Sequence, residues 1–181
     1  MATTAISIEE YLNGPIPDPD VEYVDGELKE RSVVKTIHSR LQAILSTWFE
    51  NHSEEWNVIS GPEARVQVAQ TRVRLPDLVV DTAGPWPPVL TAPPLIAIEI
   101  LSPSDSFTEL LDKLHDYETM GIRNIWVIDP QARRSWSYEG SALIEKSCFT
   151  VPGCEIYLDI AEMFARYDRY QLGSSSSPLP L

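Results

Sequence analysis

The stretch LIAIEILSPSD, residues 95–105, has the nearly continuous apolar run of a strand buried on both faces, yet Glu99 stands in its middle. A carboxylate removed from water is costly unless a cation, a proton or a hydrogen-bond donor compensates it. The rest of the chain has to supply that compensation.

The first candidate lies upstream, in RLPDLVV at residues 74–80. Pro76 biases this stretch toward extended backbone, and Asp77 stands where a polar segment passes into the apolar Leu78-Val79-Val80. By period-two alternation Asp77 shares a sheet face with Leu75 and Val79, and Glu99 shares one with Ala97 and Leu101. If the two strands are neighbours and these faces coincide, the carboxylates converge. Two carboxylates in contact repel unless they share a proton or a divalent cation, and oxygen-only ligation of this kind suits magnesium or manganese. The competing reading has Glu99 in solvent or paired with Arg72 or Arg74.

The second candidate is Lys113, at the border of an apolar helical face with Leu110 and Tyr117, on the helix that follows the Glu99 strand. Its ammonium can reach back over the strand end. Its alternative is an exposed pair with Glu109, four residues earlier.

Composition sets outer bounds. A chain of 181 residues, 43% hydrophobic and 23% charged, is globular rather than disordered. The domain expected is residues 1–172, followed by the low-complexity tail GSSSSPLPL at 173–181. A net charge of −13 opposes general attraction to nucleic acid or anionic lipid, so a polyanionic partner needs a local basic patch. The N-terminus lacks the basic start and apolar core of a signal peptide, and no apolar run has the length of a membrane span, so a cytoplasmic location with no membrane partner is expected. Cys148 and Cys154 have no companion cysteines and read as packing residues.

Patterning places the elements. Ser7 and Glu10 form a capping box for a short helix, which ends before the linker PIPDPD. VEYVDGELKER alternates around Asp25-Gly26, a strong hairpin signal. From Val33 to Asn51, Val34, Ile37, Leu41, Ile44, Leu45, Trp48 and Phe49 recur at three and four, with His38 on the edge of this helical face. ARVQVAQ and RVRLPDLVVD read as two strands joined near Gln70. After the central strand, Ser102 or Ser104 caps a helix over residues 105–120 with Phe107, Leu110, Leu111, Leu114 and Tyr117 facing the core. NIWVIDP, RRSWSYEG and LIEKSCFTV add three strands, and DIAEMFARY a closing helix. The expected fold class is α/β (α+β): one mixed central sheet flanked by helices.

The ordered blocks VEYVDGEL, the His38 helix, RLPDLVV, IEILSPS, DKLHDY, GIRNIWVIDP and PGCEIYLDIAEMF resemble the Uma2 family of the PD-(D/E)XK nuclease superfamily, from about Glu9 to Phe164. The resemblance implies a restriction-endonuclease-like core and a metal-dependent endonuclease acting on nucleic acid, DNA above all, as a homodimer. It implies that Asp77 and Glu99 hold a divalent metal, Mg or Mn, with the backbone carbonyl of Ile100. Lys113 stands for the superfamily lysine, which in the basic form lies two residues after the glutamate, where this chain has Leu101. Glu22 and His38 match the family's early glutamate and helical histidine, with catalytic roles, and Tyr117 matches as a supporting residue.

Lys29, Arg31 and Lys35, with Arg65, Arg72 and Arg74, would form a basic rim for the substrate, or would simply solvate strands. A second reading from another class is a non-catalytic binding or regulatory module that keeps the nuclease fold. Glycoside hydrolysis by the same carboxylates would need an aromatic-lined sugar cleft, and the tryptophans are scattered.

Overall fold

The computed structural model describes residues 6–15, 20–30, 36–103 and 105–172. The start of the long helix at Val33, the Ser104 cap, Arg31 and Lys35, most of the PIPDPD linker and the 173–181 tail lie outside the described residues.

The chain begins with α1 (Ile8–Asn13), whose cap Ser7 exchanges hydrogen bonds with Glu10. A hairpin follows, β1 (Glu22–Val24) and β2 (Glu27–Lys29), turned by Asp25 and Gly26, both at positive φ as a tight hairpin turn demands. Next come α2 (Thr36–Asn51), α3 (Ser53–Trp56), β3 (Val58–Gly61), β4 (Val66–Ala69), β5 (Arg72–Arg74) and β6 (Leu78–Thr82). The second half holds β7 (Ile96–Ile100), α4 (Phe107–Met120), β8 (Asn124–Asp129), β9 (Arg134–Glu139), β10 (Ala142–Glu145), β11 (Cys148–Thr150), β12 (Tyr157–Asp159) and α5 (Ile160–Leu172).

The main sheet has six strands in the order β10-β9-β8-β7-β6-β3. Its one parallel pair is β7 with β8, joined through α4, and the other pairs are antiparallel, so the sheet is mixed as expected. Helices α2 and α5 cover one face with Leu41, Leu45, Trp48, Phe49, Met163 and Phe164. Helix α4 covers the other with Leu110, Leu114 and Tyr117.

Several expectations need correction. The single mixed sheet is accompanied by a four-stranded sheet, β2-β1-β5-β4, and by a β11-β12 pair. RVRLPDLVVD is not one strand: it breaks at Leu75-Pro76-Asp77, with β5 in the small sheet and β6 in the main one. Proline lacks the amide that would continue a ladder, so the chain changes sheets there. LIEKSCFTV is likewise divided between β10 and β11, and α3 and β3 had no separate reading.

Ser106, not Ser102, caps α4, and Ser102 instead bonds the Asp105 carboxylate through its amide and hydroxyl. Phe107 and Ile37 do not join the core; they are 64% and 38% exposed. Each lies at the first turn of its helix. Cys148 and Cys154 are exposed, at the turn-rich β11-β12 segment, and so are not core packing residues.

Candidate active site

The register of β6 against β7 pairs Leu78 with Ile98 and Val79 with Ala97. Asp77, one residue before β6, and Glu99, one residue beyond Ile98 on β7, stand together at the end of this ladder. Both residues are buried, at 3% and 5% exposure. They line a cavity of about 350 Å³ together with Glu22, His38, Arg74 and Lys113. β1, α2, β5, the β5-β6 link, β7 and α4 each send a side chain into this space.

Asp77 is oriented from two sides: its Oδ2 accepts from the Ile100 amide at 2.7 Å and lies 3.0 Å from His38 Nε2. Glu99 Oε1 accepts from the Tyr117 hydroxyl at 2.6 Å, and its Oε2 lies 3.7 Å from Lys113 Nζ. Thus Glu99 meets neither solvent nor an arginine. Lys113 makes its closest ion pair with Glu22, at 2.8 Å from Oε1, rather than with Glu109 on the helix surface. One helical turn beyond Lys113, Tyr117 shares the inward face of α4, as the i, i+4 spacing requires.

The electrostatics follow from burial and neighbours. Burial pushes the Glu99 carboxyl up to about 7; Lys113 and the Tyr117 hydroxyl oppose this, and the Asp77 charge adds to it. Burial alone would lower the Lys113 pKa, but the Glu99 and Glu22 carboxylates more than reverse this, so the ammonium stays charged. Glu22 goes the other way from Glu99. Its burial is outweighed by Lys113 and Arg74, and its pKa falls below the ordinary value. Tyr117 is pushed well above its usual range, first by burial and then by the Glu99 charge, which keeps it a hydrogen-bond donor.

Behind the cavity lies a group of buried charges in which Asp116 had no sequence reading. Arg74 donates to Glu22 Oε2 at 2.9 Å and to Asp116 Oδ2 at 2.8 Å through Nε. Arg72 bridges Asp116 Oδ1 at 2.8 Å and Asp25. The signal that could have found Asp116 is its place on α4: three residues after Lys113 and one before Tyr117, it falls next to both.

The basic rim is corrected at the same time. Arg65 is 7% exposed, pairs with Asp20 at 2.6 Å and lies over the Tyr11 ring. Arg74 is turned toward two carboxylates inside the protein, and Arg72 toward the buried Asp116 and the exposed Asp25. Of the described cations in that group, Lys29 and Arg74 line the cavity, and Arg74 is bound to Glu22 and Asp116.

Asp77 and Glu99 suit a hard divalent cation. The unfavourable pressure on Glu99 comes from burial and from the Asp77 negative charge, which an ion between them would relieve. Among the described residues no group of three or more His, Cys, Asp and Glu side chains gathers at liganding spacing. A magnesium-class ion needs no larger protein cage, since it is commonly held by one or two carboxylates with water and substrate phosphate. The Ile100 amide is engaged by Asp77, a contact that fixes the backbone beside this pair.

The comparisons with known proteins agree with the architecture. A crystal structure of "a putative nuclease belonging to DUF820" from Anabaena variabilis superposes with a TM-score of 0.76 at 22% identity, over 88% of this chain and 98% of that one. A DrdV–DNA complex gives a TM-score of 0.40 at 12% identity, over 80% of this chain and 14% of that one, too distant to weigh. No curated protein matches. No helix among the described residues is long and apolar enough to cross a membrane. Residues 8–148 match the family described as "Uma2: Putative restriction endonuclease", a span that takes in every residue of the cavity, and the chain belongs to the Uma2 family.

Proposed function

We propose that the protein is a divalent-metal-dependent nuclease that hydrolyses phosphodiester bonds of nucleic acid at the Asp77–Glu99 cavity. The observation that carries this reading is the meeting of Asp77 and Glu99 in one cavity at the end of the β6–β7 ladder, with the Lys113 ammonium 3.7 Å from Glu99.

In this reading Asp77 and Glu99, with the Ile100 backbone, hold the ion, magnesium by its preference for such oxygen donors and manganese as a substitute. When bound, it neutralises a nonbridging phosphate oxygen and makes water a better nucleophile. The remaining work belongs to the chain. Lys113, held protonated by two carboxylates, stabilises charge that develops on phosphate oxygens and does not serve as the base. Glu22 receives Lys113 and the Leu75 amide on Oε1 and Arg74 on Oε2, so its role is to hold the ammonium in place. His38 fixes the Asp77 carboxylate, and Tyr117 fixes Glu99. One such site cuts one strand, and a duplex break would need a second copy, as in the homodimer that the resemblance implies.

The test is cleavage of single-stranded DNA, duplex DNA and RNA by purified protein with magnesium, manganese or EDTA, beside Asp77→Asn and Lys113→Ala. The expected result is metal-dependent cutting that falls by roughly 100-fold or more in both variants, the usual cost of a lost transition-state contact. Folded wild-type protein that cuts no polymer and gives no heat on titration with either ion would leave the fold without the activity.

A further inference from the structure

Among the described residues the cavity mouth is mostly acidic, the wrong charge for a duplex. Glu30, Asp105, Glu109 and Asp112 line it, among the described residues, with Lys29 as their cationic neighbour and Lys113 deeper inside, while Arg65, Arg72 and Arg74 are all bound to carboxylates of the protein. Duplex DNA carries one negative charge per roughly 1.7 Å of its axis, so laying it across this mouth sets several phosphates against those acids. Asp77 and Glu99 are moreover buried at 3% and 5% exposure, so a scissile phosphate has to enter the cavity to meet them. A flexible single strand can lower one phosphate inside and keep its others away.

A strand held this way needs attraction that does not depend on charge. Phe107 offers it. At 64% exposure it is the most exposed large hydrophobic residue among those described, and it directly follows Ser106, which both caps α4 and lines the cavity. Its helical stripe turns inward only at Leu110, one turn later, which lines the cavity too. An aromatic ring left in water beside an acidic opening suits the face of an unpaired base, which stacks on such rings whatever its sequence.

We infer that the substrate is single-stranded nucleic acid, with an unpaired base stacked on Phe107 while the adjoining phosphate enters the cavity. This rests on the nuclease reading, and for such a substrate one site suffices without a second copy.

The experiment is fluorescence anisotropy with a labelled single-stranded oligonucleotide and with its duplex, in calcium and in EDTA, using wild type, Phe107→Ala and Phe107→Trp. Wild type binds the single strand more tightly than the duplex. Phe107→Ala weakens single-strand binding by roughly 5- to 150-fold, the equivalent of about 1–3 kcal/mol for a stacked base. Phe107→Trp retains binding, and its indole emission is quenched as the strand is added. Because Phe107 is exposed, neither variant threatens folding, and melting curves verify this.

Duplex binding as tight as single-strand binding, or Phe107→Ala binding like wild type, overturns the assignment and leaves the nuclease reading intact wherever cleavage is seen. If Phe107→Ala changes the sedimentation coefficient and not strand binding, Phe107 is a self-association contact and the assignment is wrong. If wild type neither binds nor cuts any strand, both readings fall together.

Discussion

Along β7, Ile96, Ile98 and Ile100 face α2 and α5, while Ala97 and Glu99 face α4, and the two sides are held together by different physics. The α2–α5 side is a dry cluster in which aromatic rings such as Trp126 and Phe149 stack at 4.6 Å. The α4 side begins with the same aliphatic packing around Leu114 but passes, at the carboxyl end of β7, into Glu99, Lys113, Glu22, Arg74 and Asp116. A hydrophobic face tolerates many arrangements of similar volume, whereas a buried group of charges tolerates one set of partners. At the end of β7 this chain gives up an apolar face for a fixed arrangement of carboxylates and cations.

The largest stability effect expected is on the charged side. Arg74→Met removes the guanidinium shared by Glu22 and Asp116 and leaves two buried carboxylates with weakened compensation. The cost is about 3–5 kcal/mol, the range for breaking one partner from a buried pair. The matching cut on the dry side, Ile98→Ala, costs about 2–5 kcal/mol through lost burial and a residual cavity. Urea denaturation of both variants compares the faces directly. If Arg74→Met is as stable as wild type, the charges are an ornament on an apolar fold and the contrast drawn between the two faces is wrong.

The dry face was legible because its information is local. The three-and-four spacing of Leu41, Ile44, Leu45, Trp48 and Phe49 identifies the buried stripe of α2, and IAIEI reads as an inner strand. The Asp25-Gly26 turn and the convergence of Asp77 with Glu99 were also accessible, since alternation tells which residues share a face. The charged face depends on partners far apart in the chain: Arg74 lies 52 residues from Glu22 and 42 from Asp116. Nothing in the spacing of RVRLP distinguishes an arginine that solvates a strand from one that is buried under a helix. The change of sheet at Pro76 was hidden for a related reason. Proline signals a break in a ladder but not where the next ladder is. Phe107 misled because periodicity assigns a face and does not say where along the helix the core ends.

The next effect concerns pH. With Glu99 pushed from 4.5 to about 7 in the folded protein, the native state binds more protons than the unfolded chain between these values. Glu99 therefore makes cation-free protein less stable as pH rises through that window, by about 1.4 kcal/mol for each unit of displacement. Glu99→Gln removes this descent and raises the melting temperature at pH 8 without added metal. A divalent cation competes with the proton, so magnesium raises the wild-type melting temperature more at pH 8 than at pH 5 and leaves the variant unchanged. Equal magnesium effects at both pH values would separate the ion from Glu99.

The smallest effect sharpens the contrast within the charged face itself. Arg72 and Arg74 both bind Asp116, but the Arg72 side chain is 36% exposed and its other partner, Asp25, 49% exposed. Water screens that outer pair, and a solvated ion pair contributes about 0–1 kcal/mol. Arg72→Ala leaves Asp116 still held by the Arg74 Nε and Nη2 groups, so no carboxylate is abandoned in the interior. The expected loss is about 1 kcal/mol, several-fold smaller than for Arg74→Met although the two arginines stand two residues apart on one strand. Equal losses from the two substitutions would mean that the pair acts as a single buried unit and that depth below the surface does not set the strength of each contact. The expected inequality instead places the structural weight on the inner guanidinium, the one that reaches Lys113 through Glu22.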